Sequence, residues 1–178
     1  MITKYDVDQG SEEWFALREN KYTGSGADKL LKFGAIEYSL TQAAELFSTF
    51  WTRRGHLLEL EATGLYEQIY HVTVQHAGFV TNSKYPNAGY SPDGFTDYIL
   101  LESKSFDEAR HLEIVAMKEP PFEILAQAHF GLTIMELDMA HIIFYHPKVD
   151  PKLALKIFEV KMDPKTRANF RNILRGKK

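Results

Sequence analysis

The sequence predicts an α/β fold in which a mixed β-sheet is flanked by helices. Three observations lead there. Runs rich in β-branched and aromatic residues at 72–82, 98–103, 140–145 and 153–160 read as strands. Stretches with apolar residues at near-helical spacing at 107–117, 121–135 and 163–175 fall between or after them and read as helices. The composition, 44% hydrophobic and 25% charged over 178 residues, is that of an ordinary globular chain.

Taken in order, residues 11–20 form a short helix opened by Ser11, with Trp14 and Leu17 on one side. After the turn Tyr22-Thr23-Gly24 a second helix starts at Ser25. From about Ser39 to Tyr70, the residues Leu40, Ala43, Ala44, Phe47, Phe50, Trp51, Leu58 and Ala62 follow a helical period. That is one long or broken helix, with Gly55 and Gly64 as breaks or close contacts. Val72 to Asn82 alternates and opens the sheet, and Lys84-Tyr85-Pro86-Asn87 supplies a turn. No internal repeat and no linker rich in Pro, Gly and Ser divides the chain, so residues 1–178 read as one domain. A domain of roughly 150 residues buries about 68–70% of its unfolded surface, enough for a core of its own.

Composition also bounds the chemistry. With no cysteine there is neither a disulfide nor a thiolate metal site, so any metal is held by carboxylates, carbonyls or imidazoles. No run reaches the roughly 18 apolar residues of a membrane span, and the amino terminus lacks a signal pattern, so the expected location is the cytoplasm, with no membrane partner. The net charge of -3 is unevenly spread. Seven basic residues and one acid fall between Lys161 and Lys178, which makes a basic C-terminal helix at about 163–178. Arg167, Arg171 and Arg175 recur every four residues on it, a stripe that either tracks phosphates or is a solvated face.

The most informative segment is Ser91-Pro92-Asp93-Gly94, followed by Leu101-Glu102-Ser103-Lys104. On a strand, the period of two puts Glu102 and Lys104 on one face and Leu101 and Ser103 on the other. A turn or hairpin can bring Asp93 beside them. Two converging carboxylates repel unless a cation sits between them, and oxygen ligands suit Mg²⁺, with Mn²⁺ as a substitute. Such a cation can polarise a phosphodiester and activate water, while the Lys104 ammonium offsets charge on phosphorus. The peptide carbonyl of Ser103 is a further candidate ligand. Taken alone, these residues read equally well as a surface turn followed by an exposed strand.

Further segments carry a family resemblance. Gln9-Gly10-Ser11-Glu12-Glu13-Trp14-Phe15-Ala16-Leu17-Arg18, continuing to Thr23-Gly24-Ser25, is similar to the opening of YqaJ-type viral recombinases, the lambda exonuclease branch of the PD-(D/E)XK nucleases. Arg54-Gly55-His56-Leu57-Leu58-Glu59-Leu60-Glu61-Ala62 resembles the family's Gly-x-x-x-Glu-x-x-Ala helix, except that His56 replaces a small polar residue. Phe122-Glu123-Ile124-Leu125-Ala126-Gln127-Ala128-His129 resembles the helix that follows the lysine strand. Together the motifs span residues 9–146 in the family's order, and the segment from Leu153 onward matches none of them.

The resemblance implies a restriction-endonuclease-like core. It also implies a metal-dependent 5′-to-3′ exodeoxyribonuclease acting on double-stranded DNA with free ends, in phage-type recombination by single-strand annealing. The catalytic set would be Asp93, Glu102, Lys104, Glu59 and Gln127, with Asp93, Glu102, the Ser103 carbonyl and Glu59 toward the metal. Arg18, Ser25 and Ser91 would hold the 5′ phosphate. The partners implied are a single-strand annealing protein and further copies of the chain, in a ring of three. Glu61, two residues along a helix from Glu59, points about 200° away, and His129 faces away from Gln127 in the same manner. Two other readings stay open on the same residues: an endonuclease or junction-resolving enzyme, and a DNA-end-binding module without turnover. Tyr85 and Tyr90, beside the active turn, either stack on a base or pack in the core.

Overall fold

The computed structural model describes residues 1–34 and 50–176, with the backbone alone at 50–54 and 56. Two sheets organise it. The first runs β1 (Ile2–Tyr5), β2 (Phe79–Asn82) and β3 (Gly89–Tyr90), all antiparallel. The second is ordered β4 (Gly94–Phe95), β5 (Ile99–Lys104), β6 (Met139–Tyr145) and β7 (Leu155–Lys161). Only β5 and β6 pair in parallel, so the sheet is mixed as predicted.

The helices cover both faces of the second sheet. On one face lies α3 (Phe50–Tyr70), whose Leu58, Ala62 and Tyr66 pack on Leu101, Ile143 and Tyr145. On the other lies α5 (Phe122–Met135), which packs on Leu100, Ala140, Ile142 and Phe144 and is backed by α2 (Ala27–Phe33) and α6 (Pro164–Leu174). Burial on both faces explains why β6 reads as a continuous apolar run rather than an alternating one. Of the remaining helices, α1 (Glu12–Arg18) is capped by Ser11, whose hydroxyl accepts from the Trp14 amide, and α4 (Glu108–Val115) is capped in the same way by Asp107. No helix among the described residues is long and apolar enough to cross a membrane.

Several expectations shift. The strand read at 72–82 is confined to Phe79–Asn82; before it only Gln75 bridges to Phe95. Gly78 there passes so close to the Val7 carbonyl that a Cβ would lie 1.8 Å from its oxygen, which a side chain forbids. Strand β1, unread in the sequence, pairs along the whole of β2. The second helix begins not at Ser25 but at Ala27, after a 3₁₀ turn at Gly24–Gly26. A Cβ on Gly24 in that turn would lie 2.8 Å from Tyr90 Cε2 and 3.1 Å from Gln127 Cγ, so the turn packs there without a side chain. Helix α3 runs unbroken through Gly55 and Gly64, neither of which has an atom within 4 Å of a notional Cβ. Each helical glycine costs about 1 kcal/mol, while burying Leu58 alone contributes about 1.5–3 kcal/mol, so packing carries the helix. Residues 39–49 of the expected long helix lie outside the described residues.

The basic stripe is partly engaged by the protein itself, with Arg167 and Arg171 half-buried and Arg175 exposed. Arg167 donates through Nη1 to Asp138 at 2.6 Å and through Nη2 to the Leu137 carbonyl, Arg171 lies near Glu136, and Arg175 stands 5.8 Å over the Tyr85 ring. These contacts clamp α6 to the turn that begins β6. Because β5 and β6 are parallel, that turn lies at the opposite end of the strands from Lys104.

Candidate active site

The antiparallel pairing of Gly94 with Leu101 and of Phe95 with Leu100 places Asp93 across from Glu102 and Ser103. A two-residue β4 leaves the outer edge of β5 open beyond Leu101, and a side chain closes it: the Ser103 amide donates to Asp93 Oδ2 at 2.7 Å. In a strand the N–H and C=O of one residue face the same edge, so the Ser103 carbonyl also opens toward Asp93.

Glu102 and Lys104 share the face toward α5, as the period of two requires, and form an ion pair. The Glu102 carboxylate is fully buried, and each of its oxygens is engaged. Oε1 accepts from Gln127 Nε2 at 2.5 Å and from Lys104 Nζ, while Oε2 accepts from the Tyr90 hydroxyl. Lys104 Nζ also lies 3.7 Å from Asp93 Oδ2. Glu59 reaches the cluster from the opposite face, from α3, and hydrogen-bonds to Asp93. Asp93 is therefore where the two faces of the sheet meet.

The electrostatics follow from crowding three acids around one lysine. Burial, then the neighbouring Asp93, pushes Glu59 up to about 9, and the two carboxyls share a hydrogen bond. Burial raises Glu102 to about 7 against the opposing pull of Lys104. For Lys104, burial works against the charge, but Glu102 and Asp93 outweigh it and hold the ammonium above the usual lysine range. Burial and the Glu102 charge hold the Tyr90 hydroxyl well above the tyrosine range, so it stays a donor.

The donor set fits a hard divalent cation. All candidate ligands are oxygens, the donor type a hard cation takes. Among the described residues no group of three or more His, Cys, Asp or Glu is arranged to hold a metal ion. Asp93 and Glu102, with the Ser103 carbonyl at the same edge, are the residues that would hold it, and Glu59 stands behind Asp93.

Beside the cluster, helix geometry sets Trp14 and Arg18 on one face of α1, with the guanidinium 4.1 Å over the indole. Both address Ser91: Trp14 Nε1 donates to its hydroxyl at 2.9 Å and Arg18 Nη1 at 3.4 Å. Trp14 also donates to the Gly78 carbonyl at 3.1 Å, which fixes the indole. Ser25 is exposed on the 3₁₀ turn, its hydroxyl 3.2 Å from that of Thr23. A cleft of about 400 Å³ runs from Glu59 and Asp93 along Leu60, Thr63, His76 and Gly78.

The structure thus brings Asp93, Glu102, Lys104, Glu59 and Gln127 into one connected cluster and pairs Arg18 with Ser91 two residues from Asp93. Ser25 follows Gly24, where a Cβ would lie 3.1 Å from Gln127 Cγ, and its own hydroxyl meets that of Thr23. Glu61 is turned away and bonds the Tyr145 hydroxyl, and His129 is buried elsewhere, near Lys161. Tyr85 and Tyr90 are both core residues, at 1% exposure. The contact of Tyr90 with Glu102 is one that sequence reasoning missed; its signal was a glycine and a tyrosine immediately before Ser91-Pro92-Asp93.

A family model, the YqaJ-like viral recombinase domain, matches residues 13–135. Among solved structures, the chain is similar to an alkaline exonuclease from Laribacter hongkongensis, at 21% identity and a TM-score of 0.80 over 93% of this chain and 90% of that one. The same exonuclease in complex with dAMP aligns with a TM-score of 0.81. A phage-related exonuclease from Haemophilus somnus 129PT aligns at 10% identity, with a TM-score of 0.63 over 90% of this chain and 93% of that one. At these identities the likeness establishes a shared fold, the mixed α/β core of the PD-(D/E)XK type. No curated protein matches the chain in sequence.

Proposed function

The chain belongs to the YqaJ-like viral recombinase family, and from that premise we propose that it is a metal-dependent 5′-to-3′ exodeoxyribonuclease acting on the ends of linear double-stranded DNA. The observation that carries the proposal is the placement of Arg18 and Ser91, 3.4 Å apart, two residues from Asp93 in the acidic cluster. A guanidinium beside a hydroxyl is suited to a terminal phosphate, and an enzyme that cuts internally has no terminal phosphate to hold.

When bound, Mg²⁺ or Mn²⁺ would polarise the scissile phosphodiester and favour the ionised form of the attacking water. Asp93 and Glu102 supply negative charge to hold the cation. Lys104 stays protonated in the ground state and directs its ammonium at charge developing on the phosphate. Gln127 fixes Glu102 through its side-chain amide and keeps its carbonyl oxygen for a second contact. Arg18, Ser91 and the exposed Ser25 hold the end of the strand in register, which positions the first phosphodiester for cleavage. The product is a 3′ single strand, the form that a single-strand annealing partner takes up. A ring of three copies around the duplex is the assembly this reading assigns.

Digestion of a linear duplex carrying 5′ phosphate or 5′ hydroxyl, with and without Mg²⁺, tests the proposal alongside Lys104→Ala. Expected is metal-dependent loss of the 5′-phosphorylated strand that is abolished in the variant. Intact linear DNA with nicked or linearised circles would replace the exonuclease by an endonuclease. End binding without cleavage in Mg²⁺ would leave only a binding module.

A further inference from the structure

The site contains one group that this function does not yet use. Tyr90 lies in the core at 1% exposure, yet its hydroxyl is spent on Glu102 Oε2. The ring occupies a slot whose walls are glycines. A Cβ on Gly24 would stand 2.8 Å from Tyr90 Cε2, and a Cβ on Gly131 would stand 2.5 Å from Tyr90 Cζ. Real side chains do not approach so closely, so both positions must be glycine while the ring is there. Gly131 lies one helical turn after Gln127 on α5, and Gly24 lies one residue before Ser25.

We infer that Tyr90 is a positioning residue: its hydroxyl fixes the Glu102 carboxylate from below, and its ring ties that carboxylate to the turn carrying Ser25. The inference rests on the nuclease reading above. Its physical basis is a count of donors and oxygens. Glu102 has two carboxylate oxygens; Lys104 and Gln127 both address Oε1, and among the described residues Tyr90 alone secures Oε2. Without that third donor the carboxylate is free to rotate about its terminal bond, a broad and nearly two-fold torsion. Oε2 would then be buried with no partner, a state that costs free energy wherever it occurs. A carboxylate whose oxygens are each held presents its remaining lone pairs in one direction, which is what a cation demanding near-octahedral geometry requires.

The ring does a second thing. It contacts Gly24 on one side and Gly131 on the other, so the turn that carries Ser25 and the helix that carries Gln127 are held against one rigid plate. The separation between the end-holding groups and Glu102 is thereby set by core packing and not by exposed loops.

Tyr90→Phe removes one oxygen and leaves the slot filled, and it is tested by three readouts against wild type: thermal melting, Mn²⁺ binding by calorimetry on the DNA-free protein, and kcat and KM on a linear 5′-phosphorylated duplex. Expected are a melting temperature near that of wild type, Mn²⁺ affinity and kcat each lower by about 10- to 100-fold, and an unchanged KM. In a Glu102→Gln background the same substitution is expected to have no further effect on Mn²⁺ binding, because Tyr90 acts through Glu102. An unaltered kcat and Mn²⁺ affinity in Y90F overturns the inference, as does an equal loss of Mn²⁺ affinity in both backgrounds. Wild-type protein that neither binds Mn²⁺ nor degrades DNA overturns the nuclease reading, and the inference with it, whereas an active wild type beside an unaffected Y90F removes the inference alone.

Discussion

Trp14 and Ser91 are joined across seventy-seven positions by a 2.9 Å hydrogen bond from the indole Nε1 to the serine hydroxyl. The bond anchors α1 to the segment that leads into Asp93, and it sets Arg18, one helical turn after Trp14, at the same hydroxyl. Two segments distant in sequence thus meet at one hydroxyl.

Arg18→Ala is expected to cost end discrimination more than chemistry. A charge-assisted hydrogen bond contributes about 1.5–3 kcal/mol, so the preference for 5′-phosphate over 5′-hydroxyl ends should fall by roughly tenfold to a hundredfold. Initial rates on the two substrates measure this. Equal loss on both ends would place Arg18 outside phosphate recognition.

A metal held by Asp93 and Glu102 would stabilise the fold by mass action. Saturating the metal-free protein at about 100 times the dissociation constant should add about 2.7 kcal/mol, a rise of about 5–10 °C in melting temperature for a domain of this size. Asp93→Asn should abolish the rise. Scanning fluorimetry with Mg²⁺ and Mn²⁺ gives the answer, and an identical melting curve with and without metal would remove Asp93 from the ligand set.

His141 predicts a pH dependence of stability. It is buried on the α3 face, 3.0 Å from the Tyr66 hydroxyl through Nδ1, and burial holds it below the usual histidine range, with Glu159 opposing in part. Burial lowers His129 as well. At these histidines the unfolded chain therefore binds more protons than the folded one around the ordinary histidine value of about 6.5. The stabilisation is present above that value and lost as pH falls through it toward the folded pKa. His141→Gln should therefore cost about 1–3 kcal/mol at pH 7.5 and less at pH 5.5, which removes the histidine part of the slope of urea midpoint against pH, a part that the raised Glu59 and Glu102 oppose in the wild type. An unchanged slope would move the dependence to His129 or elsewhere.

Arg167→Ala should lower stability by about 1–2 kcal/mol, because it strips two hydrogen bonds from the half-buried clamp at Asp138 and Leu137. The salt dependence of DNA binding should stay the same. A slope reduced by about one in a log–log plot against salt would instead show a phosphate contact at Arg167.

How much of this was legible in the sequence depends on the range of the contact that decides each element. Strands β5, β6 and β7 and helices α4, α5 and α6 read correctly to within a residue or two, because their apolar periods are local. The Asp93 and Glu102 arrangement read correctly for the same reason, since a short hairpin brings them together. What failed was decided at long range. Gly78 packs against Val7, and Gly24 in the 3₁₀ turn packs against Tyr90 and Gln127, and neither neighbour is near in sequence. The arginine stripe has the spacing of a DNA-tracking face, but its partners are on the turn at 136–138 and on Tyr85, and no helical period can name them. The hydroxyl of Tyr90 was hidden in the same way, behind a residue type that is nearly always core.

The bond from the Ser103 amide to Asp93 has a meaning apart from chemistry. Beyond its short β4 pairing, β5 would present a bare edge N–H, the kind of group on which a strand of another molecule docks. Asp93 occupies that amide with its own oxygen and so ends the sheet. Asn at position 93 keeps an oxygen for the amide, whereas Ala does not. An inactive protein made by Asp93→Ala is therefore also one with an unsealed edge, prone to self-association, and any loss of function in it mixes catalysis with aggregation; Asp93→Asn separates the two.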